Sequence, residues 1–169
     1  MTPPSTYRTL NATVLVDGAA AGPVRAARDM ISFWGGYDPG TGVVIDRRHS
    51  LAGQCLTGTV FVLPHGKGSS TGSAVLLDAL VQGNAPAAIL LNRVDEIIAL
   101  GAVVYEEFFG ATIPIAVLPD DDFAIALDAD RIEISAVGPS WPTTTEERRA
   151  RERTDGVGRR PRDARRRSR

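Results

Sequence analysis

Cysteine is nearly absent: Cys55 stands alone in 169 residues. An internal disulfide is excluded, and so is a cysteine-ligated cluster built within this chain. The two histidines, His49 and His65, are too few for a metal site without carboxylates that the sequence does not visibly place beside them. No metal ligand is therefore assigned. Aromatic residues make up only 6%. No apolar run approaches the roughly 20 residues of a membrane helix. The N-terminus lacks a basic stretch followed by an apolar leader. These absences lead to the expectation of a soluble cytoplasmic protein with no membrane partner.

What is present suffices for one domain of ordinary size and a tail. Hydrophobic residues reach 43%, enough for a packed core, and many are small. The net charge of −1 conceals an asymmetry. Residues 142–169 hold 11 arginines against 5 acidic residues, while the rest of the chain holds 8 basic and 15 acidic residues. Residues 1–8 are expected to fray and 139–169 to form an Arg-rich disordered tail, with Thr143 to Glu147 able to cap a short helix within it. Arg-rich tails can bind nucleic acid nonspecifically. This one lacks interleaved aromatics and continues no basic surface, so it reads as a solubilising appendage.

The chain is organised around Pro64-His65-Gly66-Lys67-Gly68-Ser69-Ser70-Thr71-Gly72-Ser73. An apolar strand, Leu56 to Leu63, leads in, and a helix over Ala74 to Gln82 leads out, with Ala74, Leu77, Leu80 and Val81 as its core face. A Gly- and Ser-rich turn at a helix N-terminus gathers free N–H groups, hydroxyls and the positive end of the helix dipole. Three readings compete for it. Helix capping alone accounts for the Ser and Thr residues. A P-loop is disfavoured, because Lys67 lies between the glycines rather than before Ser or Thr. A catalytic serine in a charge-stabilising turn fits, although no Gly-x-Ser-x-Gly elbow is present.

Elsewhere, Thr9 to Val16 reads as a strand, Ala19 to Pro23 as a turn, and Arg25 to Met30 as a short helix or extended chain. Phe33-Trp34-Gly35-Gly36 reads as a turn with Trp34 packed over the glycines. Thr41 to Ile45 resumes a strand, and Asp46 to His49 forms a solvated charged loop in which Asp46 and His49 could share a proton. Ala87 to Leu91 is almost wholly apolar, the mark of a buried parallel strand. Asp95 caps a second helix carrying Ile97, Ile98, Val103 and Val104, with Gly101 permitting close approach of another backbone and Gly110 closing it. Thr112 to Leu118 is a strand, and Pro114 within it points to an edge or an extended crossover. Asp120 to Asp122 reads as an acidic turn, and Phe123 to Leu127 with Arg131 to Ala136 as a closing strand pair.

Several of these stretches, in this order and spacing, resemble one family. They are Ser32-Phe33-Trp34-Gly35-Gly36, Thr41-Gly42, Ile45-Asp46-Arg47-Arg48-His49, Leu63-Pro64, Gly66 to Ser73, Asn84-Ala85-Pro86-Ala87-Ala88-Ile89 and Ile98 to Val104. The chain is similar, from about Thr9 to Leu118, to the small subunit or swivelling domain of aconitase X. That family includes the small subunit of phosphomevalonate dehydratase and the corresponding part of cis-3-hydroxy-L-proline dehydratase. The resemblance implies a mixed α/β fold, an aconitase-like swivelling β/β/α domain over residues 9–138, that docks on a large subunit. It also implies that the large subunit supplies an iron or iron–sulfur centre and most substrate contacts, and that no cofactor is bound here. The substrate would be a small 3-hydroxy acid, such as cis-3-hydroxy-L-proline or mevalonate 5-phosphate.

The family's Gly-Ser-Ser/Thr motif falls on Gly68-Ser69-Ser70, which implies Ser69 as general base. Gly68, Ser70 and Thr71 then supply substrate-binding or alkoxide-stabilising donors, Lys67 adds positive potential, and Ser73 caps the following helix. Ala27-Arg28-Asp29-Met30 departs from the family's acidic-Pro-Leu lead-in, and the Arg tail is not a family feature. The resemblance implies a hydro-lyase active only with its large subunit. Two alternatives are a non-catalytic binding module on the same fold and a nucleic-acid-associated protein using its tail. An exposed docking face around Phe33, Trp34 and the central loop is expected.

Overall fold

A computed structural model describes residues 8–137. The tail reading and the possible cap at Thr143 fall outside the described residues. Residues 8–136 lie within one compact unit. A six-stranded sheet runs in the order β1 (Thr13–Val16), β7 (Ile115–Val117), β6 (Ala88–Leu91), β5 (Val60–Leu63), β2 (Ala20–Ala26) and β8 (Arg131–Ile134). The four inner strands are parallel, and the edge strands β1 and β8 pair antiparallel with their neighbours. A small hairpin of β3 (Tyr37–Asp38) and β4 (Val43–Val44) follows the single turn α1 (Phe33–Gly36).

The inner strands are apolar on both faces because helices cover both. Successive side chains of a strand point to opposite faces, so β5 and β6 split cleanly into two cores. Phe61, Leu63, Ile89, Leu91 and Ile115 pack with Leu76 and Ala79 of α2 (Thr71–Val81) and Ile98 and Ala102 of α3 (Glu96–Phe109). Val60, Val62, Ala88, Leu90 and Ala116 pack with Phe123 and Ala126 of α4 (Asp120–Leu127) on the other side. Each parallel strand therefore delivers its C-terminal end to one edge of the sheet, where the connecting loops gather.

Several expectations are corrected. Ala19–Pro23 is not a turn, nor Arg25–Met30 a helix: Ala20–Ala26 forms β2. Its first half pairs with β8 and its second half with β5, and Pro23 sits where the partners change. The buried face of α2 is Gly72, Leu76, Ala79 and Leu80, while Ala74 and Val81 are exposed. The helix starts at Thr71, three residues before the expected start, which rotates the choice of face. Pro114 does not mark an edge. It precedes β7, which lies between β1 and β6, and its carbonyl accepts the Ile89 N–H. Phe123–Leu127 is helical rather than extended. Pro119 precedes it and three aspartates occupy its first turn, an arrangement that complements the helix dipole. Trp34 does not cover the glycines but stands 61% exposed, and it is Phe33 that enters the core, edge-on to Tyr37.

Helices α2 and α3 cross closely at Gly101. A Cβ built there falls 2.7 Å from the Ser73 carbonyl oxygen and 3.3 Å from Leu76 Cβ. Exchanging glycine for alanine in a helix ordinarily gains about 1 kcal/mol of propensity. Here the methyl meets backbone, and overpacking of this kind costs roughly 1–3 kcal/mol. Gly101→Ala is accordingly expected to lower the urea midpoint of the full chain. A midpoint at or above wild type would show that the helices are not held this closely.

Candidate functional site

The Gly- and Ser-rich loop leaves the C-terminal end of β5 and enters α2 directly. Its path is pinned on three sides. Ile31 bridges to Gly66 in parallel fashion and its carbonyl accepts the Lys67 N–H at 2.9 Å. Asp95 Oδ2 accepts the Gly66 N–H at 2.7 Å. Gly68 turns the chain at φ +102°, a conformation L side chains rarely adopt, and a Cβ there would lie 2.8 Å from Ser32 Oγ.

Asp95 does more than cap. Its Oδ1 accepts the Ile97 and Ile98 N–H groups, each at 3.0 Å, while its other oxygen holds Gly66. One carboxylate thus joins the N-terminus of α3 to the loop that begins α2. A β-branched or larger residue at position 66 has no room, since a Cβ would fall 2.6 Å from Asp95 Oδ2.

Ser69 occupies the turn this arrangement produces. Its Oγ accepts the Thr71 N–H at 3.1 Å and lies 3.0 Å from Thr71 Oγ1. Its carbonyl accepts the Gly72 N–H. The capping role therefore belongs to Ser69. Ser73, expected as the cap, lies inside the first turn and donates its hydroxyl to the Ser70 carbonyl at 2.7 Å. Of the residues singled out from sequence, Gly68, Ser69 and Thr71 converge on one point, and Ser70 contributes through its carbonyl. Lys67 stands at the junction of two hollows. One is a cavity of about 70 Å³ bounded by Phe33, Ser69, Gly72, Asp95 and Ile97. The other is an open cleft of about 410 Å³ over the ends of β2, β5 and β6.

Near that cleft the partners differ from those the sequence suggested. Asp46 and His49 do not share a proton. Asp46 accepts from Arg48, mainly through its backbone N–H, which holds the carboxyl below its usual range. His49 is buried, accepts the Leu51 N–H on Nδ1 at 3.1 Å, and turns Nε2 toward Asp29 Oδ1 at 3.6 Å. Asp29 sits on the rim of the cleft. Partial burial works against its charge, but the hydroxyl and N–H donated by Ser50 outweigh this and hold its carboxyl below the ordinary range. Only the fold brings positions 29, 49 and 50 together.

The described residues do not assemble a ligand set for an iron centre. Among the described residues no group of three or more His, Cys, Asp or Glu side chains is placed to hold a metal ion. Cys55 instead lies against Thr41 and Thr57. Among them, too, no helix is long and apolar enough to cross a membrane.

Residues 9–138 match the family model of the aconitase X swivel domain. The chain belongs to the aconitase X swivel-domain family. It is 54% identical over 104 residues to a cis-3-hydroxy-L-proline dehydratase of Pseudomonas aeruginosa, covering 62% of this chain and 18% of that protein. It is 40% identical over 119 residues to the phosphomevalonate dehydratase small subunit of Methanosarcina mazei, covering 70% of this chain and 78% of that one. A crystal structure of Thermococcus kodakaraensis aconitase X in its holo-form superposes with a TM-score of 0.62 and 32% identity, covering 75% of this chain and 97% of that chain. The chain spans about a fifth of the hydroxyproline dehydratases it matches, at 18% and 21% of their length. The aconitase X swivel domains thus include both a segment of a long dehydratase and a separate chain named a small subunit.

The swivel-domain loop depends on Asp95, and removing one of its acceptors tests this. Asp95→Asn keeps an oxygen for the α3 cap but turns an amide donor toward the Gly66 N–H. Leaving that N–H unpaired costs roughly 1–3 kcal/mol. The expected result is a lower melting temperature with accelerated amide exchange at Gly66. Unchanged exchange at Gly66 would mean the loop is held by other bonds.

Proposed function

We propose that this chain is the small subunit of a hydro-lyase that removes water from a 3-hydroxy acid, with Ser69 as general base. Substrates in view are cis-3-hydroxy-L-proline and mevalonate 5-phosphate. The observation that carries the reading is the Ser69 hydroxyl held on the Thr71 N–H, the first of an 11-residue helix, at an exposed, glycine-turned loop.

Loss of water from such an acid begins with the proton on the carbon next to the carboxylate. A base must sit within hydrogen-bond reach of that proton. A serine hydroxyl ionises far above neutral pH, so the alkoxide needs help. The Thr71 N–H already points at Ser69 Oγ, and the Thr71 hydroxyl can reverse its bond and donate when Ser69 gives up its proton. The positive end of the α2 dipole acts in the same direction. Lys67, at the mouth of the same cavity, adds positive potential and can meet the substrate carboxylate. Gly68 and Ser70 shape the turn that presents the base.

A cavity of about 70 Å³ cannot enclose a hydroxy acid, since ligand pockets typically run to about 300–1,000 Å³. Ser69 is also exposed, whereas an alkoxide base works best with water excluded. Both facts support half a site, completed by a large subunit. In this reading the iron or iron–sulfur centre lies on that subunit, because one cysteine cannot ligate it here. Trp34 lies outward beside the buried Phe33, next to the loop, and belongs to the docking face.

Co-purification with a candidate large subunit and a dehydration assay test the proposal. Ser69→Ala is expected to lower turnover by roughly 10²–10⁴-fold, the usual worth of a general base. Ser69→Asn separates chemistry from capping: it caps the helix as well as serine does, so stability holds while activity stays lost. Near-wild-type turnover of either variant removes Ser69 as the base. Docking is read from Trp34 fluorescence in a Trp141→Phe background, where a blue shift on adding the large subunit is expected. An unchanged spectrum places the interface elsewhere.

A further inference from the structure

The sheet ends in two edge strands of different character. β1 is interrupted, because its register against β7 shifts between Val14 and Val16. Irregularities of this kind twist an edge away from further pairing. β8 has no such defence. It pairs in unbroken register with the first half of β2, from Ala20 opposite Ile134 to Pro23 opposite Arg131. Among the described residues no strand lies on its other side. A regular free edge presents backbone N–H and C=O groups to any strand that fits it.

The ladder decides which groups those are. Val24 donates its N–H to the Asp130 carbonyl at 2.9 Å, in step with the register of β2 on β8. Hydrogen-bonded and non-hydrogen-bonded pairs alternate along an antiparallel ladder. Ile132 and Ile134 therefore turn their backbone groups toward β2, and Arg131 and Glu133 turn theirs outward. Side chains alternate too, between the two faces of the sheet. Ile132 and Ile134 are half-buried against the core that holds Phe123, whereas Arg131 and Glu133 are exposed on the opposite face. Neither of the two charged residues forms an ion pair among the described residues.

This short strand is complementary to itself. A second β8 laid antiparallel on the free edge, with a two-fold axis at Ile132, puts Arg131 opposite Glu133 of the second copy and Glu133 opposite the second copy's Arg131. Both residues face outward, so each such pair exchanges two backbone hydrogen bonds and also sets opposite charges side by side. On the other face Ile132 meets Ile132 of the second copy, which joins the two apolar layers. The charges also select the register. A slip of two residues either way sets Arg131 against Arg131 or Glu133 against Glu133. Charges of one sign would instead guard the edge, because a second copy would bring like against like.

We infer that β8 is a docking edge for a second copy of this chain, joining two sheets into one across a two-fold axis. The inference does not depend on the dehydratase reading. β8 lies along Ala20 to Pro23, whereas the Ser69 loop leaves the opposite end of the parallel strands. Both Ser69 corners therefore stay open in the pair.

Sedimentation equilibrium of the full chain is expected to show a reversible dimer forming between about 5 and 500 µM. Arg131→Glu and Glu133→Arg each turn two attractive cross-strand pairs into two repulsive ones, and each should weaken dimerisation at least about ten-fold. Mixed with one another, the two variants should associate about as tightly as wild type, because every reversed charge then meets its opposite. A wild type that stays monomeric throughout that range, a single variant that dimerises like wild type, or a mixture of folded variants that stays monomeric overturns the inference. If either variant does not fold, amide exchange in the wild type decides. Exchange at Arg131 and Glu133 should slow as the dimer forms, and unchanged exchange there means that another surface joins the copies and the inference is wrong.

Discussion

The site hangs on one carboxylate. Asp95 spends its two oxygens on three backbone N–H groups, two at the start of α3 and one in the loop before α2. Charge-assisted bonds of this kind are shorter and stronger than neutral ones. They turn two helix N-termini into a single rigid corner at the end of the parallel strands. The close crossing of α2 on α3 at Gly101 keeps that corner from opening. Ser69 then needs no bond to a distant residue to be held in place. Its position follows from Gly66 being clamped, Gly68 turning at positive φ, and Thr71 offering its N–H.

Such a corner serves anionic chemistry for a plain electrostatic reason. Helix N-termini concentrate partial positive charge, and a hydroxyl seated on them loses its proton at less cost than one in water. The corner is shallow, however. Its cavity is small and its serine exposed, which is why the proposed chemistry calls for another surface. Aconitase X swivel domains occur both as a fraction of long dehydratases and as chains named small subunits.

Much of this was legible in the residues. The apolar run Ala87 to Leu91 favoured a strand buried on both faces, and Ala88–Leu91 forms β6. Asp95 followed by apolar residues at helical spacing, and Gly110 at its end, marked α3, whose C-cap adopts the left-handed conformation expected of glycine. Other stretches misled because their local signals were weak or shared. Ala20–Ala26 holds a glycine and a proline, and becomes a strand only because β5 and β8 flank it. Phe123–Leu127 reads as a strand, but it is helical, with Phe123 and Ala126 turned together onto the second core. The start of α2 lay earlier than expected because Ser69, not Ser73, accepts the first free N–H.

The sequence by itself determined the fold class, the family, and that a Gly- and Ser-rich loop joins a buried strand to a helix N-terminus. Those follow from local pattern: continuous apolar strands, helix punctuation, and an ordered run of short motifs. Tertiary structure decided what no local pattern encodes. It chose which serine caps α2, gave Asp95 its second duty, buried His49 away from Asp46, and set Asp29 against Ser50 beside the cleft. Each of these joins residues either two or three positions apart with competing choices, or some twenty to thirty apart with none. Hydrogen bonds reach only about 3 Å. Which groups come within that distance is fixed by the packing of the whole sheet and its helices.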